Sequence, residues 1–235
     1  LARKLAHEIK NPLTPIQLTI DRLKNKYSNE LDVKNKENFN ENLMIINNQI
    51  KQIEKLVNEF SDFARMPKPI FQKNDLVILI KDNVKLLQEL DLTIKIDFIH
   101  NNQQLFFDGD KEQLSRVFLN LIKNSIESIQ QKTEKVSDFN KNITIELNNF
   151  DSHISLVIND NGIGFKNLNN NIKEILNPYF TTKKKGTGLG LSIVNKIIND
   201  HNGNIEFISK ADGAIIKIIF SALTNETAFL SSPSG

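Results

Sequence analysis

A histidine, a carboxylate and an amide lie close together near the start of the chain. His7 and Glu8 are adjacent, and Asn11 follows one helical turn later. At about 100° per residue, Leu5 and Ile9 lie about 40° apart on a helix, whereas His7 lies about 180° from their midpoint. His7 therefore faces solvent, where a largely neutral imidazole is a nucleophile and a neighbouring carboxylate can accept its proton. A solvated surface histidine without chemistry is the alternative.

Three later segments have the residue types of a nucleotide pocket. Amides one helical turn apart offer neutral oxygens to a Mg²⁺ ion that already carries phosphate oxygens, and a lysine beside them is a point charge for phosphate. An aspartate directly after an apolar strand accepts a hydrogen bond from an exocyclic amine such as that of adenine. A glycine-rich turn that opens a helix exposes amides to phosphate. These residues are Asn120, Lys123 and Asn124; then Asp160, Gly162 and Gly164; then Gly186, Thr187, Gly188, Leu189 and Gly190.

Each segment has an ordinary alternative when it is taken alone. The amides fit a solvated helix face, the aspartate fits a plain Asn-Gly turn, and the glycine-rich turn fits a simple helix start. If the second segment does bind a nucleotide, its two glycines are expected to let the backbone pass close to a planar ligand.

Two helices must position His7. Their apolar residues recur at spacings of three and four, and in the second helix the alternation is a strict heptad seam. The polar stretch 28–38 predicts the turn between them. A lone hairpin leaves much apolar surface wet, so we expect a second copy to complete a dimeric four-helix bundle; a monomeric hairpin packed on the rest of the chain is the alternative. The stripes are Leu5, Ile9, Leu13, Ile16, Ile20 and Leu23, then Phe39, Leu43, Ile46, Ile50, Ile53, Val57 and Phe60.

The chain changes character after Met66-Pro67-Lys68-Pro69, where neither proline can donate a backbone hydrogen bond. Helical and alternating patterns then interleave, which predicts a mixed sheet with helices on one face. The expected fold class is α + α/β, an α-helical hairpin followed by an α/β sandwich. The expected domains are 1–66 for the hairpin, 67–75 for a linker, 76–222 for the sandwich and 223–235 for a tail. Predicted helices are 77–87, 114–129 and 189–200, and predicted strands are 94–98, 143–147, 154–158, 204–208 and 214–220.

Composition excludes several classes of protein. The net charge of the 235 residues is +2, which indicates no binding to nucleic acid or to a membrane surface. The chain has no cysteine, which excludes disulfides and thiolate chemistry. No apolar run reaches the length of about 18 residues that a membrane span needs. Because the chain begins with Leu1 inside a helical pattern, we expect a longer natural protein; a membrane anchor before Leu1 would not be visible here, and this segment itself is expected in the cytoplasm.

The run Ala6-His7-Glu8-Ile9-Lys10-Asn11-Pro12-Leu13-Thr14-Pro15 resembles the phosphoacceptor box of bacterial sensor histidine kinases. The extension 16–18 and the segment Phe60-Ser61-Asp62-Phe63-Ala64-Arg65-Met66-Pro67 resemble the NtrY-like nitrogen-regulation sensors in particular. By this resemblance His7 takes the phosphoryl group and Glu8 acts as base. Asn11 would serve the reverse reaction by orienting a water molecule on the phosphorylated partner.

The three nucleotide segments, in this order, resemble the N, G1 and G2 boxes of the Bergerat-type ATP-binding fold of histidine kinases, gyrase-type topoisomerases and Hsp90-type chaperones. The resemblance implies ATP and Mg²⁺, with Asn124 on the metal, Asp160 on the adenine amine, and Gly188 and Gly190 on the phosphates. Residues between Phe165 and Gly186 would form a mobile lid over ATP. The F box is matched by Pro178-Tyr179-Phe180-Thr181-Thr182-Lys183.

Two positions depart from the relatives. ATP-hydrolysing members have a glutamate four residues before the metal-binding Asn, whereas this chain has Asn120, which cannot act as a base. ATP should therefore be kept for His7 rather than hydrolysed quickly. Ser125 follows Asn124 where the family often has Ala, and we expect little consequence. The other histidines, His100, His153 and His201, are expected at the surface or at strand ends.

The implied function is the homodimeric core of a sensor histidine kinase, which phosphorylates His7 from ATP and passes the phosphoryl group to an aspartate of a response regulator. Phosphatase activity toward that regulator is a further implication. An ATP-driven conformational clamp of the gyrase or Hsp90 type and a non-catalytic docking module are the alternatives.

Overall fold

The computed structural model describes residues 2–27, 32–101, 103–136, 138–165, 172–183 and 186–221. These residues group into two compact units. As far as they are described, we call Leu1–Pro67 with Tyr179–Leu189 the helical unit, and Lys68–Pro178 with Gly190–Gly235 the sheet unit. The predicted tail, 223–235, lies outside the described residues, as do 166–171 and 184–185 of the predicted lid.

The helical unit contains two long helices, α1 (Ala2–Tyr27) and α2 (Val33–Ala64), within its described residues. Their shared core is formed by Leu13, Ile20, Leu43 and Ile50, with Phe39 packed against it. Helix α2 begins within the predicted turn because Asp32 caps it: the Asp32 side chain accepts the Asn35 N–H at 2.8 Å. It ends at Ala64, before the predicted proline break.

Each predicted apolar stripe is buried along only one edge. The residues that point at the neighbouring helix recur every seven positions and are buried, whereas four other members of the stripes remain 38–45% exposed. This agrees with the expectation that a lone hairpin leaves much apolar surface wet, because a helix with a single neighbour buries only the positions that face it. The buried positions are Ala6, Leu13, Ile20, Leu43, Ile50 and Val57, and the exposed ones are Ile16, Leu23, Ile46 and Ile53.

The sheet unit alternates helices and strands as the sequence predicts. Its helices are α3 (Leu76–Gln88), α4 (Lys111–Thr133) and α5 (Gly190–Asp200). Its strands are β1 (Gln72–Asp75), β2 (Lys95–His100), β3 (Phe106–Gly109), β4 (Asn142–Asn149), β5 (His153–Asp160), β6 (Gly203–Ser209) and β7 (Ala214–Ser221). A short 3-10 helix, Ile172–Leu176, lies between β5 and α5.

Five of the described strands form one mixed sheet in the order β2-β4-β5-β7-β6. The β2–β4 pair is parallel and the other pairs are antiparallel. The register places Ile158 of β5 between Ile145 of β4 and Ile216 of β7, and all three side chains are buried. Alternate residues of β4 are only half-buried, which is typical of a sheet that helices cover on one face.

The predicted class, a helical region followed by an α/β sandwich, is confirmed. Strands β1 and β3 pair as a small antiparallel ladder. The sequence did not predict them, because each has only four residues and no clear alternation. Among the described helices, none combines the length and apolar composition that a bilayer crossing requires.

Candidate functional site

Helix α1 presents His7 to solvent. His7, Glu8 and Asn11 are all exposed, while Ala6 and Leu13 of the same helix are buried against α2. The predicted outward direction of His7 is therefore correct. An exposed imidazole beside a carboxylate on a rigid helix is accessible to a second molecule, which a reaction at a ring nitrogen requires.

Helix α4 brings Asn120 to the start of α5. The Asn120 amide donates to the Arg116 carbonyl at 2.8 Å. A Cβ added at Gly190 would lie 3.0 Å from Asn120 Oδ1, so this oxygen faces the bare backbone at the first residue of α5. Asn124 is half-buried and Lys123 is exposed. Asn120 and Gly190, which come from two of the three segments predicted to form a nucleotide pocket, thus lie close together.

The amide side chains of this segment fit a Mg²⁺ ion whose other ligands are mainly nucleotide phosphate oxygens and waters. No group of three or more His, Cys, Asp or Glu in the described part of the chain forms a metal cluster. The donors available are neutral amide oxygens, and Mg²⁺ bound with nucleotide takes few protein ligands and keeps phosphate oxygens and waters. The donor set suits a metal–nucleotide complex rather than a resident metal.

Asp160 ends β5 with a buried carboxylate, 4% exposed. The Gly162 N–H donates to its Oδ1 at 2.9 Å, and the Ser125 hydroxyl donates to its Oδ2 at 3.1 Å. Burial raises the pKa of the Asp160 carboxyl above its ordinary value, and these two hydrogen bonds, together with one from the Ala214 backbone N–H, partly oppose the rise. A buried carboxylate with unused lone pairs is suited to accept a hydrogen bond from a ligand amine.

Protein packing alone requires glycine at two positions after Asp160. A Cβ at Gly162 would lie 2.2 Å from Ser128 Oγ, and a Cβ at Gly164 would lie 2.3 Å from the Gly213 carbonyl oxygen. Gly164 also has φ +65°, which favours glycine. The 160–164 loop is therefore held between α4 and the β6–β7 turn. That the bare backbone also passes close to a planar ligand stays a prediction.

Lys132 holds the same loop from the end of α4. Its ammonium donates to the Asn161 carbonyl at 2.8 Å, pairs with Asp212 of the β6–β7 turn, and lies 4.4 Å from the centroid of the Phe139 ring. The sequence reasoning missed Lys132, since no local pattern links it to Asn161 or Asp212.

The F-box and G2 segments meet within the helical unit. The Tyr179 N–H donates to the Gly188 carbonyl at 3.0 Å, and a Cβ at Gly186 would lie 2.4 Å from Thr181 Oγ1. The Thr187 hydroxyl donates to the Glu59 carboxylate on α2. Phe180 and Lys183 are half-buried, whereas Thr182 is exposed. The remaining predicted nucleotide residues, from Asn120 to Gly164 together with Gly190, belong to the sheet unit.

The structure gives Ser125 a buried partner and contradicts the expectation for His201. Ser125, expected to matter little, is 1% exposed and bonds to Asp160. A signal was present: Ser125 lies on the apolar stripe of α4 with Leu121 and Ile129, and a buried hydroxyl needs a partner. His201, expected at the surface, is 3% exposed, because its ring links the Ile197 carbonyl to the Asp110 N–H.

Two family profiles match the chain. Residues 1–69 match the His Kinase A phospho-acceptor domain, and residues 109–224 match the histidine kinase-, DNA gyrase B- and HSP90-like ATPase. The chain belongs to the sensor histidine kinase family. In this sensor histidine kinase chain, the first profile contains the exposed His7, and the second contains both the Asn120–Asn124 helix and the Asp160 loop.

Relatives of this kinase chain include NtrY-like sensors. It is 39% identical over 222 residues to an NtrY-like sensor histidine kinase of Rickettsia conorii, covering 94% of this chain and 35% of the relative. It is 35% identical over 223 residues to the nitrogen regulation protein NtrY of Azorhizobium caulinodans, covering 91% of this chain and 27% of the relative. The chain therefore spans about a third of the length of these relatives.

Solved kinases share its fold. The crystal structure of the histidine kinase ThkA in complex with the response regulator protein TrrA matches with a TM-score of 0.63 and 26% identity, covering 93% of this chain and 60% of that chain. The resemblance to bacterial sensor histidine kinases that the sequence indicates is confirmed.

Proposed function

We propose that this chain is the catalytic core of a two-component sensor kinase, which phosphorylates His7 from ATP and passes the phosphoryl group to an aspartate of a response-regulator receiver domain. One observation carries the proposal: His7 stands exposed on α1 inside a phospho-acceptor domain. An ATPase domain with a buried acceptor, Asp160, follows in the same chain. Residues 1–66 would supply dimerisation and phosphotransfer, 67–75 a linker and 76–222 nucleotide binding.

The chemistry assigned to α1 is a nucleophilic displacement. A ring nitrogen of His7 forms a bond to the γ-phosphorus as the bond from that phosphorus to the ADP oxygen breaks, and ADP leaves with the electron pair. Glu8 accepts the proton that the imidazole loses. Asn11, on the same exposed face, would orient water toward a phosphorylated regulator in the reverse, phosphatase direction.

The chemistry assigned to the nucleotide residues is positioning. Asp160 would accept a hydrogen bond from the adenine amine, and the backbone amides of Gly188 and Gly190 would bind phosphate. Asn124 would hold Mg²⁺, which when bound neutralises charge on the phosphates. The other proposed nucleotide contacts are Lys123, Gly162, Gly164, Phe180, Thr181, Thr182, Lys183, Gly186, Thr187 and Leu189.

A second copy of the chain is the proposed partner of the helical unit. Apolar side chains of α1 and α2 that the hairpin does not bury remain 38–59% exposed, and a homodimeric four-helix bundle would cover them. ThkA, a solved relative by fold, binds a response regulator. We place this segment in the cytoplasm, where ATP and such regulators occur together.

Labelling with γ-³²P-ATP tests the proposal. The full chain should acquire label that is lost in acid and kept in base, and a receiver domain added afterwards should remove it. His7→Gln should acquire no label, whereas the control His153→Gln should label like the wild type. Label that persists in His7→Gln would overturn the proposal.

The same assay separates the alternative functions. Steady release of phosphate without protein labelling would support an ATP-driven clamp. Asn120 argues against that outcome, because an amide that donates to the Arg116 carbonyl cannot activate water as a base. Absence of both label and phosphate release would support a docking module and exclude the kinase.

A further inference from the structure

A buried serine bonds to the carboxylate that the nucleotide site depends on. Ser125 of α4 is 1% exposed and Asp160 of β5 is 4% exposed. The Ser125 hydroxyl donates to Asp160 Oδ2 at 3.1 Å, and the Gly162 N–H donates to Oδ1 at 2.9 Å. Both carboxylate oxygens are thus held, and the Ala214 backbone N–H of β7 is a further donor to the same group, so the plane of the carboxylate is fixed.

This arrangement leaves Asp160 able to accept more hydrogen bonds. A carboxylate has about four lone-pair sites on two oxygens; Ser125 and Gly162 occupy one on each oxygen, and the Ala214 backbone N–H takes a third, so a site remains for a ligand donor. Because the serine side chain is short and enclosed, it has little freedom to release the carboxylate. A ligand donor therefore meets an acceptor that is already oriented, and its binding costs less entropy.

Uncharged residues flank Asp160 within the sheet. The residues paired with Asp160 on β4 and β7 are Ile143 and Ala214, which are uncharged. Lys210, before β7, lowers the pKa of Asp160 by its charge, a smaller effect than burial or the Ser125 hydrogen bond. Lys132 on α4 bonds to the Asn161 carbonyl and to Asp212 of the β6–β7 turn.

We propose that Ser125 is a positioning residue for nucleotide recognition: its hydroxyl holds the Asp160 carboxylate in the orientation that accepts a hydrogen bond from the exocyclic amine of adenine. The inference rests on the proposed ATP-dependent function and adds to it a residue that contacts no reacting atom. Its second consequence concerns pH. Since the Ser125 hydrogen bond lowers the pKa of Asp160, its loss raises that pKa, and ATP binding then fails at a higher pH.

The test compares ATP with inosine triphosphate, in which a carbonyl oxygen replaces the exocyclic amine. In Ser125→Ala, ATP affinity should fall about 3–10-fold, as expected for loss of a hydrogen bond to a charged group. Affinity for inosine triphosphate should change less than about 2-fold on the same basis, because that ligand offers no amine to Asp160. The control is Ser115→Ala on the same helix, where the lost hydroxyl bonds to Asn83 instead; it should affect neither nucleotide.

A second readout does not depend on nucleotide. Carbon-13 NMR of the Asp160 carboxyl in the unbound chain should show a higher titration midpoint in Ser125→Ala than in wild type and Ser115→Ala. Ser125→Cys, a weaker donor of similar size, should lie between them and serves if the alanine variant is unstable.

Equal loss of both nucleotides, or an unchanged midpoint, would overturn the positioning role while wild-type labelling of His7 leaves the kinase proposal standing. Failure of the wild type to label His7 would overturn the kinase proposal, and the NMR midpoint would then decide the Ser125–Asp160 coupling by itself.

Discussion

At the scale of single residues, Asp160 is the proposed adenine acceptor, and the fold holds its carboxylate at an energetic cost. Its carboxylate is buried and receives hydrogen bonds from Ser125 and Gly162, yet burial still raises its pKa. The folded state therefore binds a proton at Asp160 more tightly than the unfolded state. Stability from this residue is present below its ordinary pKa of 3.8 and is lost as pH rises through the raised value.

Asp160→Asn should therefore separate stability from binding. At pH 7.5 the unbound variant should be at least as stable as wild type, since an asparagine can accept from Gly162 and donate to Ser125 without carrying charge. Its ATP affinity should fall at least about 10-fold, because a charged acceptor is lost. Thermal melts at pH 5 and 7.5 check the direction of this pH dependence: the stability difference between the variant and wild type should be smaller at pH 5. A variant that is less stable than wild type at pH 7.5 would contradict the burial account.

At the scale of elements, His201 ties the end of α5 to the start of α4. Its Nδ1–H donates to the Ile197 carbonyl at 2.8 Å, and its Nε2 accepts the Asp110 N–H at 2.9 Å. Asp110 in turn caps α4 and accepts the Ile70 N–H at 2.9 Å. The Phe71 ring lies 5.2 Å from the His201 ring. The buried His201 imidazole thus connects α5, α4 and the segment at Ile70 and Phe71 that precedes β1.

His201→Ala should destabilise the chain by about 2–4 kcal/mol, because it removes two hydrogen bonds and leaves the Asp110 N–H unsatisfied. The matched control is His153→Ala at the half-buried start of β5, where the ring stacks on Phe150 at 4.7 Å. That variant should lose less than about 1 kcal/mol. Urea unfolding measures both. Equal losses of unfolding free energy in the two variants would contradict a stabilising role for the buried His201 hydrogen bonds.

At the scale of the whole molecule, the helical unit does not bury all of its apolar surface. Ile46 and Ile53, seven residues apart on α2, are 44% and 43% exposed. Repetition every seven residues marks a continuous strip along one side of a helix, which suits a second helix pair. A dimer would therefore use the half of each sequence stripe that the hairpin leaves exposed.

Glutamate at both positions, Ile46→Glu with Ile53→Glu, should convert the proposed dimer to a monomer, since the dimer would bury two charges per chain without partners. Sedimentation equilibrium at micromolar concentration measures this, and circular dichroism should show that the helices remain. Leu92→Glu, at an 81% exposed site on the sheet unit, should leave the dimer intact. A wild-type chain that sediments as a monomer would refute the four-helix bundle.

Much of the fold follows from local patterns in the sequence. Helices recur every 3.6 residues and strands every two, so the apolar spacing alone predicts α3, α4, α5 and the five strands of the mixed sheet. The same geometry correctly places His7 on the outward face of α1. Motif order indicates the family, although the roles of the individual site residues remain predictions. Each of these inferences uses residues within a few turns of one another.

The tertiary structure alone decided which distant residues meet. Ser125 and Asp160 are 35 positions apart, and Asp110 and His201 are 91 apart. No local period connects such pairs, because their contact depends on how helices dock on the sheet. The sequence therefore determined the elements, their order and the outward histidine. The packing decided that Ser125, expected to have little consequence, bonds to the buried Asp160 carboxylate, and that an expected surface histidine is a buried link.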